Sequence, residues 1–170
     1  MTETRYARAP ARIQPAPGAS SRRSESTASR AHHDPMSDTK TITAVWPVLS
    51  YRDARAAIEF LSKAFGFEER AAYARDDDPS IIEHAEMTWP LGGGIMFGSA
   101  GKDDSAFGQR VPGNDSVYVV CDHPDELFER ALGAGAELVR GLRDEDYGSR
   151  GFTVRDPEGN LWSFGTYRGE

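Results

Sequence analysis

His84 and Glu86 stand two residues apart in the stretch Ile82-Glu83-His84-Ala85-Glu86-Met87. Residues of like parity share one face of a β-strand, so the imidazole and the carboxylate meet on one side and Ala85 and Met87 take the other. Such a pair could work as acid and base, with Glu86 raising the His84 pKa, or supply a rudimentary metal pair. It could equally be a buried hydrogen bond that holds the strand and shapes a pocket. Arg150 and Arg155 could meet an anionic group at a cleft mouth, or pair with Asp144 or Glu145 close by. Cys121, the single cysteine, reads as a small buried hydrophobe rather than an activated nucleophile. Gly92-Gly93-Gly94 precedes a strand rather than a helix, so it makes a turn and not a phosphate cradle.

The elements that must position these groups come as a repeat. Residues 51–68 align with 120–137 at an offset of 69, matching Asp53 with Asp122, Ile58 with Leu127 and Gly66 with Gly135. Residues 89–97 align with 156–164 at an offset of 67, matching Pro90 with Pro157 and Phe97 with Phe164. Each half reads strand, helix and three strands. The first has a strand over 42–50, a helix capped by Asp53 through about Ala64 and stopped at Gly66, then strands near 67–76, 81–89 and 93–98. The second has a strand at 115–121, a helix at about 124–134, and strands near 137–142, 150–155 and 160–167. Two modules, 41–99 and 114–168, are thus joined by a polar linker at 100–113. The fold class expected is α+β, two βαβββ modules forming curved mixed sheets around a cleft, with helices on the outer face.

Composition bounds the function. No apolar run approaches the ~20 residues that cross a bilayer, and one cysteine suits a reducing cytoplasm. The formal charge of −7 argues against nucleic-acid binding, which needs Lys and Arg to neutralise phosphates. Residues 1–40 are mostly Ala, Arg, Pro, Ser and Thr and cannot bury enough apolar surface to offset their ordering entropy, so a disordered tail is expected. A transit peptide conflicts with Pro10, Pro15 and Pro17, and a secretion signal lacks its apolar stretch. The remaining reading makes Met36 the initiator, just before the domain at 41–170.

From about 42 to 168 the chain resembles the vicinal oxygen chelate superfamily of glyoxalases, extradiol dioxygenases and bleomycin-resistance proteins. The resemblance is carried by Asp156-Pro157-Glu158-Gly159-Asn160-Leu161-Trp162, and by Ile82 to Met87 with Trp89 and Gly92-Gly93-Gly94, which is nearest the bleomycin-resistance branch. Tyr147-Gly148-Ser149-Arg150 also fits that branch. The resemblance implies four metal positions, which fall here on Trp46, Met96, Asp115 and Ser163. Only Asp115 among these is a good ligand, and one carboxylate does not hold Zn²⁺, Ni²⁺ or Fe²⁺. It therefore implies no metal and no cofactor, and a cleft that binds a small, partly aromatic molecule with Trp46 as a flat wall. The ligand-binding residues expected are Trp46, Val48, His84, Glu86, Met96, Asp115, Ser163 and Arg150. The alternative is a glyoxalase-like lyase, isomerase or dioxygenase using His84 and Glu86. A homodimer is expected, because relatives complete their clefts by pairing modules, sometimes between chains, and two-fold pairs are the commonest oligomers.

Overall fold

The computed structural model describes residues 45–170, so the expected tail and Met36 lie outside the described residues. The first module runs β1 (Val48–Tyr51), α1 (Ala54–Phe60), β2 (Glu68–Ala74), β3 (Ile82–Thr88) and β4 (Gly94–Ser99). The second runs β5 (Ser116–Val120), α2 (Pro124–Gly133), β6 (Glu137–Asp144), β7 (Arg150–Arg155) and β8 (Leu161–Gly165). The modules form two sheets of equivalent order, β1-β4-β3-β2 and β5-β8-β7-β6. In each, the first strand pairs parallel with the last and the other pairs are antiparallel. The two-module α+β fold read from the sequence is the fold observed.

Local chemistry sets the boundaries. Among the described residues the first strand starts at Val48, and residues 45–47 lie outside it because Pro47 has no N–H to extend a ladder. Its carbonyl still accepts from Met96 N at 2.9 Å. Asp53 caps α1 by accepting from Ala56 N at 2.9 Å. Past Phe60 the helix widens into a π-type turn, Leu61–Phe65, closed by Gly66 in the left-handed region at φ 90°. That turn corrects the repeat. Helix α2 is entered through His123, which makes no side-chain cap bond, with Pro124 following; Asp122 instead pairs with Arg168. The helix entries, Asp53 and His123, are therefore 70 residues apart, whereas the left-handed glycines Gly66 and Gly135 are 69 apart. The π turn of the first module takes up the extra residue.

One face of each sheet joins a common core. Leu49, Ala85, Met87, Ile95 and Phe97 from the first sheet are buried, as are Val119, Phe152, Val154, Trp162 and Phe164 from the second. Phe65 bridges the two, its ring 5.3 Å from Trp162 and 4.8 Å from Phe164, and Phe67 lies 5.6 Å from Trp162. Each fully buried side chain of this size contributes roughly 1.5–3 kcal/mol by area removed from water.

The Asp156–Asn160 turn fastens the modules. The Asp156 carboxylate is 4% exposed. It accepts from Tyr51 Oη at 2.8 Å, Trp162 Nε1 at 3.0 Å and Asn160 Nδ2 at 3.1 Å, and from the backbone N–H groups of Glu158 and Asn160. Glu158 reaches the other module and accepts from the N–H groups of Arg52 and Asp53 at 2.7 and 2.8 Å. These are donors at the entrance of α1, so that helix is capped partly by a residue about a hundred positions away. In return, Arg130 of α2 donates to the carbonyls of Ser62 and Lys63 at 2.7 Å each, satisfying acceptors in the π turn.

Candidate functional site

The face of the first sheet turned from the core carries Val48 and Ser50 on β1, Met96 and Gly98 on β4, and His84 and Glu86 on β3, as strand alternation requires. Residues 100–113 return along this face and close a cleft of about 380 Å³. Val48, Met96 and Phe107 give it apolar surface; His84, Glu83, Lys102, Asp103 and Arg110, with three serines, are its polar groups. Every lining residue comes from the first module or the linker. A concave, largely apolar space with a few placed polar groups is the form of a small-molecule site.

His84 is clamped at the edge of this space. Its Nε2 lies 3.1 Å from Glu86 Oε1, and Tyr73 of β2 stacks on the imidazole at 6.4 Å and 24°. Glu86 Oε2 also meets Arg70 Nε at 3.8 Å. The imidazole lines the cleft but the carboxylate does not, so the two do not present a joint acid–base surface to it. Opposite, Arg110 donates to the Val48 carbonyl at 2.6 Å and to Asp115.

Of the residues expected from sequence, the cleft gathers Val48, His84 and Met96. Trp46 lies on the same face further along, its ring packed over Gly94, where a Cβ would come 2.9 Å from Trp46 Cη2 and 2.5 Å from the Met87 carbonyl. It does not line the cleft. Asp115 precedes β5, and one of its oxygens binds Arg110 while Oδ2 is buried without a hydrogen-bond partner among the described residues. Strand register explains its placement. Val48 pairs with Met96 and Tyr118 with Ser163, so the residue equivalent to Trp46 is Ser116 and Asp115 falls off that face. Ser163 sits on the second sheet with its hydroxyl 3.0 Å from Thr153 Oγ1. Arg150 is held by Asp125 at 2.8 Å through both of two nitrogens and by Asp144 at 3.1 Å, which keeps its guanidinium pKa above the usual value. Asp144 is one of the partners expected for a salt bridge; Asp125, 25 residues away, is the other and was not expected.

The other singled-out residues divide. Trp162 and Phe152 are fully buried, as large aromatics tend to be. Trp89 donates to the Val120 carbonyl at 2.8 Å across the module boundary. Tyr147 is 65% exposed and packs edge-on against Tyr167 at 5.7 Å. Burial pushes the Cys121 thiol up to about 11, so it is protonated near neutrality and a poor nucleophile. Lys102, Phe107 and Arg110 are the cleft residues that a reading of 100–113 as a polar linker passes over. The available signal was Phe107, a lone aromatic in that stretch, and Lys102, the only lysine after Lys63.

The four positions at which the resemblance implies metal ligands do not fit a metal. Trp46 and Met96 offer no hard donor, Ser163 is bonded to Thr153, and Asp115 is neutralised by Arg110. Among the described residues no group of three or more His, Cys, Asp or Glu side chains could hold an ion. A second hollow of about 360 Å³ lies where the Trp89–Gly94 turn meets β5, but Arg168, already paired with Asp122, is its only charged residue.

Residues 43–164 match the model of the Glyoxalase/Bleomycin resistance protein/Dioxygenase superfamily, and the chain belongs to that family. An uncharacterized protein of Mycobacterium tuberculosis is 32% identical over 143 residues, which cover 78% of this chain and 81% of that protein. TioX from Micromonospora sp. ML1 is similar at 30% identity with a TM-score of 0.61, covering 73% of this chain and 99% of TioX. A variant of the fosfomycin resistance protein FosX from Listeria monocytogenes, solved with Mn(II) and 1S,2S-dihydroxypropylphosphonic acid, shares the fold at 18% identity and a TM-score of 0.51. That match covers 76% of this chain and 94% of FosX. No helix among the described residues is long and apolar enough to cross a membrane.

Proposed function

We propose that this chain is a metal-independent binding protein of the bleomycin-resistance type, which sequesters a small, partly aromatic molecule in the cleft over the first sheet. The observation that carries the reading is the cleft's composition: an apolar lining of Val48, Met96 and Phe107 beside polar and charged groups on the strands and linker. The donor set at the family's metal positions supports it, since a site without charge-bearing ligands has no means of Lewis-acid polarisation or of activating a bound water. The family model matched by residues 43–164, which names bleomycin resistance proteins among its members, supports the reading. Phe107, rather than Trp46, is the aromatic surface next to the guest, and stacking on it contributes about 0.5–1.5 kcal/mol beyond area burial.

The test joins elemental analysis with turnover. The purified protein is expected to hold no stoichiometric transition metal, to keep its melting temperature in EDTA, and to leave the methylglyoxal–glutathione adduct unchanged. The rival reading, a glyoxalase-like enzyme, draws on His84 Nε2 standing 3.1 Å from Glu86 Oε1 at the cleft edge. One zinc, nickel or iron per chain, lost together with activity in Glu86→Ala, would decide for that enzyme.

A further inference from the structure

Lys102 enters the cleft from the linker, and its side chain is only 16% exposed. The ammonium lies over Gly98, where an added Cβ would come 3.0 Å from Nζ and 2.9 Å from the Glu83 carbonyl. The glycine is therefore what makes room for the cation on this face. Among the described residues Lys102 Nζ makes one hydrogen bond, to that same carbonyl. Glu83 Oε2 stands 3.7 Å away, an ion pair longer than a hydrogen bond. An ammonium carries three donors, so beside the Glu83 carbonyl bond and the longer Glu83 ion pair it keeps donor capacity in a mostly buried position.

The carboxylates around it are partly engaged elsewhere. Glu83 Oε1 accepts from Arg75 Nε at 2.6 Å, Asp115 from Arg110, and Asp103 Oδ1 from the backbone N–H of Ser105 at 2.9 Å. The Arg75 and Arg110 guanidiniums are held by short contacts, whereas the Lys102 ammonium meets Glu83 only at 3.7 Å and keeps donors for a guest. Met96, Val48 and Phe107 line the same space.

We propose that Lys102 is the specificity-determining anchor of the cleft and that the guest is an aromatic carboxylate, with its carboxylate on Lys102 and its ring against Met96 and Phe107. This rests on the binding reading above and adds a charge requirement to it. The test titrates the full chain calorimetrically with 2-naphthoate and its neutral isostere 2-naphthamide, for the wild type, Lys102→Met and Lys102→Arg. The wild type is expected to bind the acid about tenfold or more tightly than the amide, as a charge-assisted hydrogen bond in a desolvated site should. The preference should collapse to near unity in Lys102→Met and largely survive in Lys102→Arg. Equal affinity for acid and amide in the wild type overturns the anchor and leaves the binding reading standing. So does a preference for the acid that persists undiminished in Lys102→Met. Failure of the wild type to bind either probe overturns both. Because the acid–amide comparison on the wild type decides by itself, poor folding of a variant does not shield the proposal.

Discussion

At the scale of single residues, burial sets the chemistry of two groups that would otherwise look reactive. The Cys121 thiol is raised to about 11 by desolvation and by the Asp122 charge. Burial, and then the Asp156 charge, push the Tyr51 hydroxyl well above its ordinary value. Both shifts have the same sign for stability. As pH climbs past the unfolded values, the unfolded chain releases these protons and the folded chain keeps them, so stability is full below about pH 9 and falls as pH rises toward 11. Melting temperatures at about pH 8.5 and 10.5 should show this loss, and Cys121→Ala should lessen it. The same thiol should resist iodoacetamide at neutral pH until the protein is unfolded. The Asp156 carboxylate gathers five donors, so Asp156→Asn, which turns one acceptor into a donor facing donors, should cost about 2–3 kcal/mol by urea unfolding. Tyr51→Phe, which removes one of the five, should cost about 1 kcal/mol.

At the scale of elements, helix α1 and strand β4 are where substitution is most informative. Asp53→Ala removes the local cap and should cost about 1 kcal/mol. Glu158→Ala, far off in sequence, should cost a similar amount because it strips acceptors from the N–H groups of Arg52 and Asp53. Gly94→Ala should destabilise more than either, since its Cβ has no room between Trp46 and the Met87 carbonyl. These elements also mark how far the sequence could be read. Strands and helices were legible because their signals are local: alternation in Ile82 to Thr88, the Asp53 cap, the Gly66 stop. The one-residue offset was not. A π turn has no strong sequence mark, and missing it shifted the equivalence from His123 to Asp122 and from Ser116 to Asp115. The cleft was half legible. Val48, His84 and Met96 follow from strand parity, whereas Lys102, Phe107 and Arg110 are brought there by the path of a linker, which parity does not fix.

For the whole molecule, the two sheets leave their outward faces incompletely covered. Tyr73 on the first is 62% exposed and Tyr118 on the second is 50% exposed, while the cleft draws no residue from the second sheet. We propose that a second copy of the chain covers these faces, in keeping with the homodimer expected from sequence. Light scattering at micromolar concentration should report twice the 18.7 kDa of one chain, and a monomer would dismiss the idea. Tyr73→Glu or Tyr118→Glu should shift the population toward monomer without lowering the melting temperature of the isolated chain by more than a degree or two, because both positions lie outside the shared core.

The helix capped from the other module bears on the order of events during folding. Bonds from Tyr51 to Asp156 and from Asp53 to Glu158 each join residues 105 apart, and closing so long a loop is entropically unfavourable until many contacts reward it. Strand pairing within a module has far shorter loops to close, so the seam should form last and impose the slow step. A fragment ending near Ser99 would emerge with the donors of its first helix half satisfied and Phe65 and Phe67 facing solvent. During synthesis the first module must therefore wait, sticky and incompletely capped, until the Asp156–Asn160 turn leaves the ribosome.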